Sequence, residues 1–193
     1  QPGISDYQLL SSLAEKSGRE FFVSAGKLYF RKLPEGGSSV KTLKFGVDLL
    51  RLNLESDLAD QAAGVVVTGW DRRKKEMVKG EASSPTLIGS GKSGVAFLGD
   101  LSVSSKLVEN YHAHIDAADR AKTLATARLQ SLSLKMVSGT ATCVGIPSLK
   151  AGTYVTLSGL GSRFDMKYYV RAVNHTMDEQ GFITVISLGG NSA

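Results

Sequence analysis

The chain has 193 residues, 42% of them hydrophobic, and its 23 basic and 18 acidic side chains give a formal charge of +5. That length allows one domain or two small ones, and a chain of this size buries roughly 70% of the surface its unfolded form exposes, so folding needs neither metal nor disulfide. Cys143 is the only cysteine, which excludes an intramolecular disulfide; no apolar run is long enough to span a bilayer as a helix, and the dispersed positive charge permits an anionic partner without arguing for one.

The first expected element is a helix. Ser5 can accept a hydrogen bond from the backbone three residues on while Gln8 reaches back, and Ile4 can staple onto Leu9. Leu9, Leu10, Leu13 and Ala14 supply an apolar stripe that Gly18 ends. A hairpin follows, from Glu20 to Val23 and from Lys27 to Arg31, turning at Ser24-Ala25-Gly26. After a loop at residues 34–39, Val40 to Phe45 reads as a strand, and Leu50, Leu52 and Leu54 alternate with Arg51, Asn53 and Glu55 as if one face were buried. Gly64 to Trp70 is the most strand-like run of this half; Asp71 to Glu76 turns the chain and Met77 to Lys79 pairs back.

Ser83-Ser84-Pro85 and Gly89-Ser90-Gly91-Lys92-Ser93-Gly94 have linker composition, and Val95 to Val103 is expected to be extended. Asp116 is expected to cap a helix running to Ser133, with Ala121, Leu124, Ala125, Leu129 and Leu132 on its apolar stripe. Four strands follow between Leu134 and Leu188. In the longest, Tyr168, Val170, Ala172 and Asn174 share one face and Tyr169, Arg171, Val173 and His175 the other; Asp178 to Gly181 turns it into the last strand. Such strands curl into a small sandwich or barrel. The fold class is therefore α+β, mainly β: a helix-plus-hairpin unit followed by an antiparallel β-barrel-like domain with one packed helix. The divisions expected are a helix-plus-hairpin unit at 1–46, a hairpin segment completing a barrel at 47–82, a linker at 83–94, and a second barrel domain at 95–193 holding helix 116–133.

The Gly89 to Gly94 run matches G-x-G-x-x-G and contains Gly-Lys-Ser, but a phosphate loop needs Gly where Thr86 stands, a strand before it and a helix after it. The linker reading is preferred. His112 and His114 have the spacing of two ligands on one strand face, without a third ligand nearby. Cys143 inside a strand reads as a small core hydrophobe, and Asp165, Asp178 and Glu179 sit near turns with nothing to single out a catalytic pair. No catalytic, metal-binding or cofactor-binding residue is assigned. Arg72-Arg73-Lys74-Lys75 makes a basic hairpin tip flanked by Asp71 and Glu76, and Trp70 beside it is either core or an interface anchor. The candidate interface residues are Trp70, Arg72 and Arg73, with Tyr168 and Tyr169 of the long strand.

Three stretches resemble the hub proteins of contractile injection machines, a family that includes the phage late control protein D group, the VgrG proteins of type VI secretion and the hubs of contractile phage baseplates. The first runs from Ile4 to Leu10, through Phe21-Phe22-Val23, to Gly26-Lys27-Leu28-Tyr29-Phe30. The second is Val65-Val66-Val67-Thr68-Gly69-Trp70-Asp71, and the third comprises Ala117 to Leu132, Gly139 to Pro147 and Lys167 to Val170. The resemblance implies a non-enzymatic structural protein, a homotrimer in its full-length form, whose paired barrels join a tail tube protein to a spike. It implies no cofactor, nucleic acid or small-molecule substrate, and membrane contact only through the assembled machine. It also implies assembly in the bacterial cytoplasm, followed by a place in a phage virion baseplate or a secreted injection apparatus. The family carries a barrel segment before the first helix and, in VgrG proteins, a spike after the second barrel, so the chain is expected to be a fragment. The alternatives are a peptidoglycan-degrading or glycan-binding tail component and a stand-alone interaction module.

Overall fold

Ser5 opens the first helix as expected. In the computed structural model, which describes residues 3–24, 26–101, 108–112, 114–179 and 181–193, Ser5 Oγ accepts from Gln8 N while the Gln8 side chain accepts from Ser5 N. This reciprocal cap starts α1 (Asp6–Lys16). β1 (Arg19–Ser24) and β2 (Lys27–Lys32) pair as the expected hairpin. Ala25 and Gln180 of the two predicted turns, and the end of the expected extended run at 102–103, lie outside the described residues.

The main sheet draws on both ends of the sequence. β3 (Ser39–Lys44) and β4 (Leu49–Ser56) join β8 (Val137–Val144), β9 (Tyr154–Ser158), β10 (Lys167–Asp178) and β11 (Gly181–Gly190) in the order β3-β9-β10-β11-β8-β4. Every pairing is antiparallel except β3 with β9. The sheet is curled, and a short turn carrying the Phe45–Leu49 bridge joins its two edge strands, β3 and β4, while Val144 N extends the β8–β4 pairing by donating to Asp48 O. Inward residues alternate as period 2 demands: Val137, Ala141 and Cys143 on β8, Val155 and Leu157 on β9, Ile186 and Leu188 on β11. Each large aliphatic side chain buried in this interior contributes about 1.5–3 kcal/mol.

A second, smaller sheet consists of β5 (Gly64–Asp71) between β6 (Glu76–Ala82) and β7 (Val108–His112). α3 (Ala118–Ser133) covers one of its faces, with Ala121, Ala125 and Leu129 against Val65, Val67 and Val78. The helix lies close because a Cβ on Gly80 would overlap the backbone of Ala121 and Lys122.

Several expectations change. Residues 83–94 do not behave as a linker: the Gln130 and Asn191 side chains hold the backbone of Thr86 and Ile88, and Lys92 exchanges two backbone hydrogen bonds with Ala193. Nor does a break at 46 or at 83–94 separate the sheets, since β3 and β4 form the two edges of the sheet built from residues 137–190. Val95 begins no strand. Ser93 Oγ accepts from Ala96 N and starts the short helix α2 (Gly94–Asp100). α3 is entered through Ala117, which has no side chain to cap with; Asp116 instead accepts from Arg120 at 3.5 Å. On β4 a bulge between Leu49 and Arg51 shifts the phase, so Leu49 is buried and Leu50 exposed.

Candidate interface

The β5–β6 hairpin ends in a surface that the sequence marks. Asp71 Oδ1 accepts from Lys74 N at 3.1 Å and Arg73 N at 2.8 Å, bonds that hold its carboxyl below the usual carboxylate range, and Lys75 takes a positive φ of 57° to close the turn. The turn thereby fixes the register that sets Trp70 opposite Met77. Residues paired across a sheet share a face, here the one turned away from α3, and both side chains stand in solvent, Trp70 54% and Met77 69% exposed. Beside Trp70 a cleft of about 500 Å³ separates the hairpin end from the start of α3, its wall mixing Arg72, Arg73 and Arg120 with the carboxylates Asp71 and Asp116 and with His114 and Ile115. An aromatic anchor rimmed by arginines is the composition of a protein-binding hot spot.

Of the predicted interface residues, the structure brings Trp70, Arg72 and Arg73 together and sets Tyr168 and Tyr169 apart. Tyr168 is 0% exposed and points into the barrel, its hydroxyl donating to Phe164 O, and burial pushes that hydroxyl up to about 12. Tyr169, 6% exposed, lies on the opposite face of β10 but beneath the β1–β2 hairpin. Its hydroxyl donates to Glu20 Oε2 at 2.6 Å and accepts from Arg31. Both are packing residues. His112 ends β7 with Nδ1 against Thr68 Oγ1, whereas His114 lines the cleft, so the two do not act together. The Gly89 to Gly94 run is followed by a helix after all, but its Lys92 amide is committed to Ala193 and its Lys92 ammonium to Asp100.

Two exposed apolar areas were not singled out from the sequence. On the outer face of the first hairpin, Val23 faces Leu28 across the strands with Phe30 next to them and Tyr7 of α1 against Phe21. At the barrel corner where β3 meets β4, Phe45, Val47, Leu50 and Val144 are exposed. Both faces of the hairpin are aromatic in sequence, so alternation alone could not tell the inner from the outer.

The chain shares its fold with several solved structures. It superposes on the tail protein from Neisseria meningitidis MC58 with a TM-score of 0.67 at 15% identity, covering 98% of this chain and 56% of that one. Prophage MuSo2 of Shewanella oneidensis has a 43 kDa tail protein that matches with a TM-score of 0.62 at 15% identity, over 97% of this chain and 53% of the other. A chain from the virion of a native gene transfer agent particle matches at 0.58 and 17% identity, over 96% and 40%. The chain thus spans about half the length of the two tail proteins. No curated protein matches it. The solved structures that share the fold are tail and virion proteins, whereas the family model that matches bears another description. That model covers residues 1–179, and by it the chain belongs to the family described as the Alg8 N-terminal domain.

Proposed function

We propose that this chain is a non-enzymatic structural part of a phage-type tail assembly, of the baseplate-hub kind that joins a tube to a spike, and that it works by packing against further copies of itself. The observation that carries the reading is the fold shared with tail proteins along nearly the whole chain. The surface supports it. Trp70 and Met77, the hairpin face around Val23 and Leu28, and the corner around Phe45 and Val47 give three separate apolar areas on one small chain, as a ring subunit needs on its several sides. The Trp70 area is assigned to the contact between copies.

Trp70 is the only tryptophan, so its emission reports on that contact directly. On raising the protein concentration, the emission should shift to shorter wavelength as the indole leaves water, and a Met77→Lys variant should suppress the shift. Emission at the wavelength of an exposed indole at every concentration, in a sample that nonetheless oligomerises, would remove Trp70 from the interface.

A further inference from the structure

β10 is the longest strand, and only its first third has a neighbour on each side. β9 pairs with Lys167, Tyr168 and Tyr169; Val170 N then donates to Thr153 O, and Val170 O accepts from Gly152 N. There the chain before β9 leaves the strand, and the register of β10 shifts between Val170 and Ala172. β11 continues alongside to the end of the hairpin. Among the described residues, therefore, the side of β10 away from β11 meets no backbone partner from Ala172 to Met177. Antiparallel strands direct the N–H and C=O of alternate residues to alternate sides, so about three residues present a donor and an acceptor along this edge.

Exposed edges are normally blunted by charge, proline, a bulge within the edge or a covering element. The stretch Ala172-Val173-Asn174-His175-Thr176-Met177 has no proline and no lysine or carboxylate, and Met177 is 85% exposed. The nearest loop, at 147–151, touches it through a side chain only: His175 Nε2 lies 3.2 Å from Leu149 O. Between that loop, the strand and the end of β1 lies a groove of about 500 Å³. Phe22, Val23 and Pro147 make part of it apolar, Lys150 and Arg171 make it positive, and no carboxylate lines it.

We propose that residues 172–177 of β10 accept an extended segment of a partner protein as an added strand, with one apolar side chain in the groove and an aspartate or glutamate facing Lys150 and Arg171. Main-chain pairing supplies the affinity and the groove the selectivity. The groove's charge chooses the partner, since Lys150 and Arg171 repel a basic segment, and a second copy would bring its own basic surface to the same place. This site does not draw on the Trp70 surface, and it shares only Val23 with the hairpin face used in the assembly reading.

The test is fluorescence anisotropy of the 193-residue chain with a labelled nine-residue peptide that alternates valine with aspartate and threonine. Two control peptides accompany it, one with lysine for aspartate and one N-methylated at alternate amides, which cannot pair as a strand. Saturable binding is expected, weakened at least tenfold for each control peptide and several-fold by Lys150→Glu, an exposed position. Hydrogen exchange should slow in residues 172–177 on adding the acidic peptide. Equal binding of the N-methylated peptide, protection elsewhere in the chain, no binding at all, or blockage of the edge by self-association would each overturn the proposal.

Discussion

Gln130, on the buried side of α3, holds three backbone groups at once. Its amide nitrogen donates to Pro34 O at 2.8 Å and Thr86 O at 2.9 Å, and its carbonyl accepts from Thr86 N at 2.9 Å. Gln130→Leu preserves bulk but leaves Pro34 O and Thr86 N without partners, Thr86 O keeping its bond from the Asn191 amide, at about 1–3 kcal/mol for each buried group so stranded. A fall in urea-unfolding stability of at least about 2 kcal/mol is expected, with faster amide exchange around residues 86–88; an unchanged midpoint would mean that water takes over these bonds. Cys143, 0% exposed, gives a pH signature. Burial raises its thiol from an ordinary value of 9.0 to about 11. The folded state therefore keeps the proton that the unfolded chain releases, so the contribution is complete below 9.0 and is lost as pH rises through about 11. Across that window the wild type should lose more stability than Cys143→Ala, as read from paired urea titrations. Parallel losses would show that the thiol does not titrate differently in the two states.

At the scale of elements, legibility followed periodicity. The hairpins β1–β2, β5–β6 and β10–β11 and the helices α1 and α3 carry local signals, namely caps, turn glycines and alternation, and they stand within a few residues of where the sequence puts them. The bulges were not legible. One on β4 exposes Leu50 in place of Leu49, and one between Val170 and Ala172 breaks the predicted alternation of β10 just where the strand loses its β9 neighbour. α2 was missed because Gly94 and Gly99 weaken helix propensity, whereas the Ser93 cap and the packing of Phe97 and Leu98 decide the matter. The seat of α3 on β6 depends on Gly80, and that too is invisible in a strand pattern. Gly80→Val should push the helix off the sheet, lower stability by about 1–3 kcal/mol and expose Val78 and Ala125 to solvent. Enhanced binding of a hydrophobic dye is the readout, and a variant as stable as the wild type would contradict the close approach.

At the scale of the whole molecule, the sequence showed the fold class but not the topology. Nothing local says that β3 will lie parallel to β9, more than a hundred residues away, or that β4 will take the opposite edge of the sheet beside β8. Those pairings follow from long-range burial of Leu43 and Leu49 against Val155, Leu157 and Cys143. The candidate interface was legible in part. Trp70, Arg72 and Arg73 stood out as an aromatic beside a charged turn, while Tyr168 and Tyr169, aromatics of the long strand, are buried. An aromatic in a strand announces burial without saying whether the chain itself or a second copy provides it. For this chain the second copy is the central claim, and the native mass by multi-angle light scattering across a concentration series tests it most directly. The account predicts growth from the 20.5 kDa chain to a trimer of three times that mass, with Trp70→Glu restoring the monomer at unchanged stability. A monomer at every concentration, for the wild type as for the variant, would contradict it.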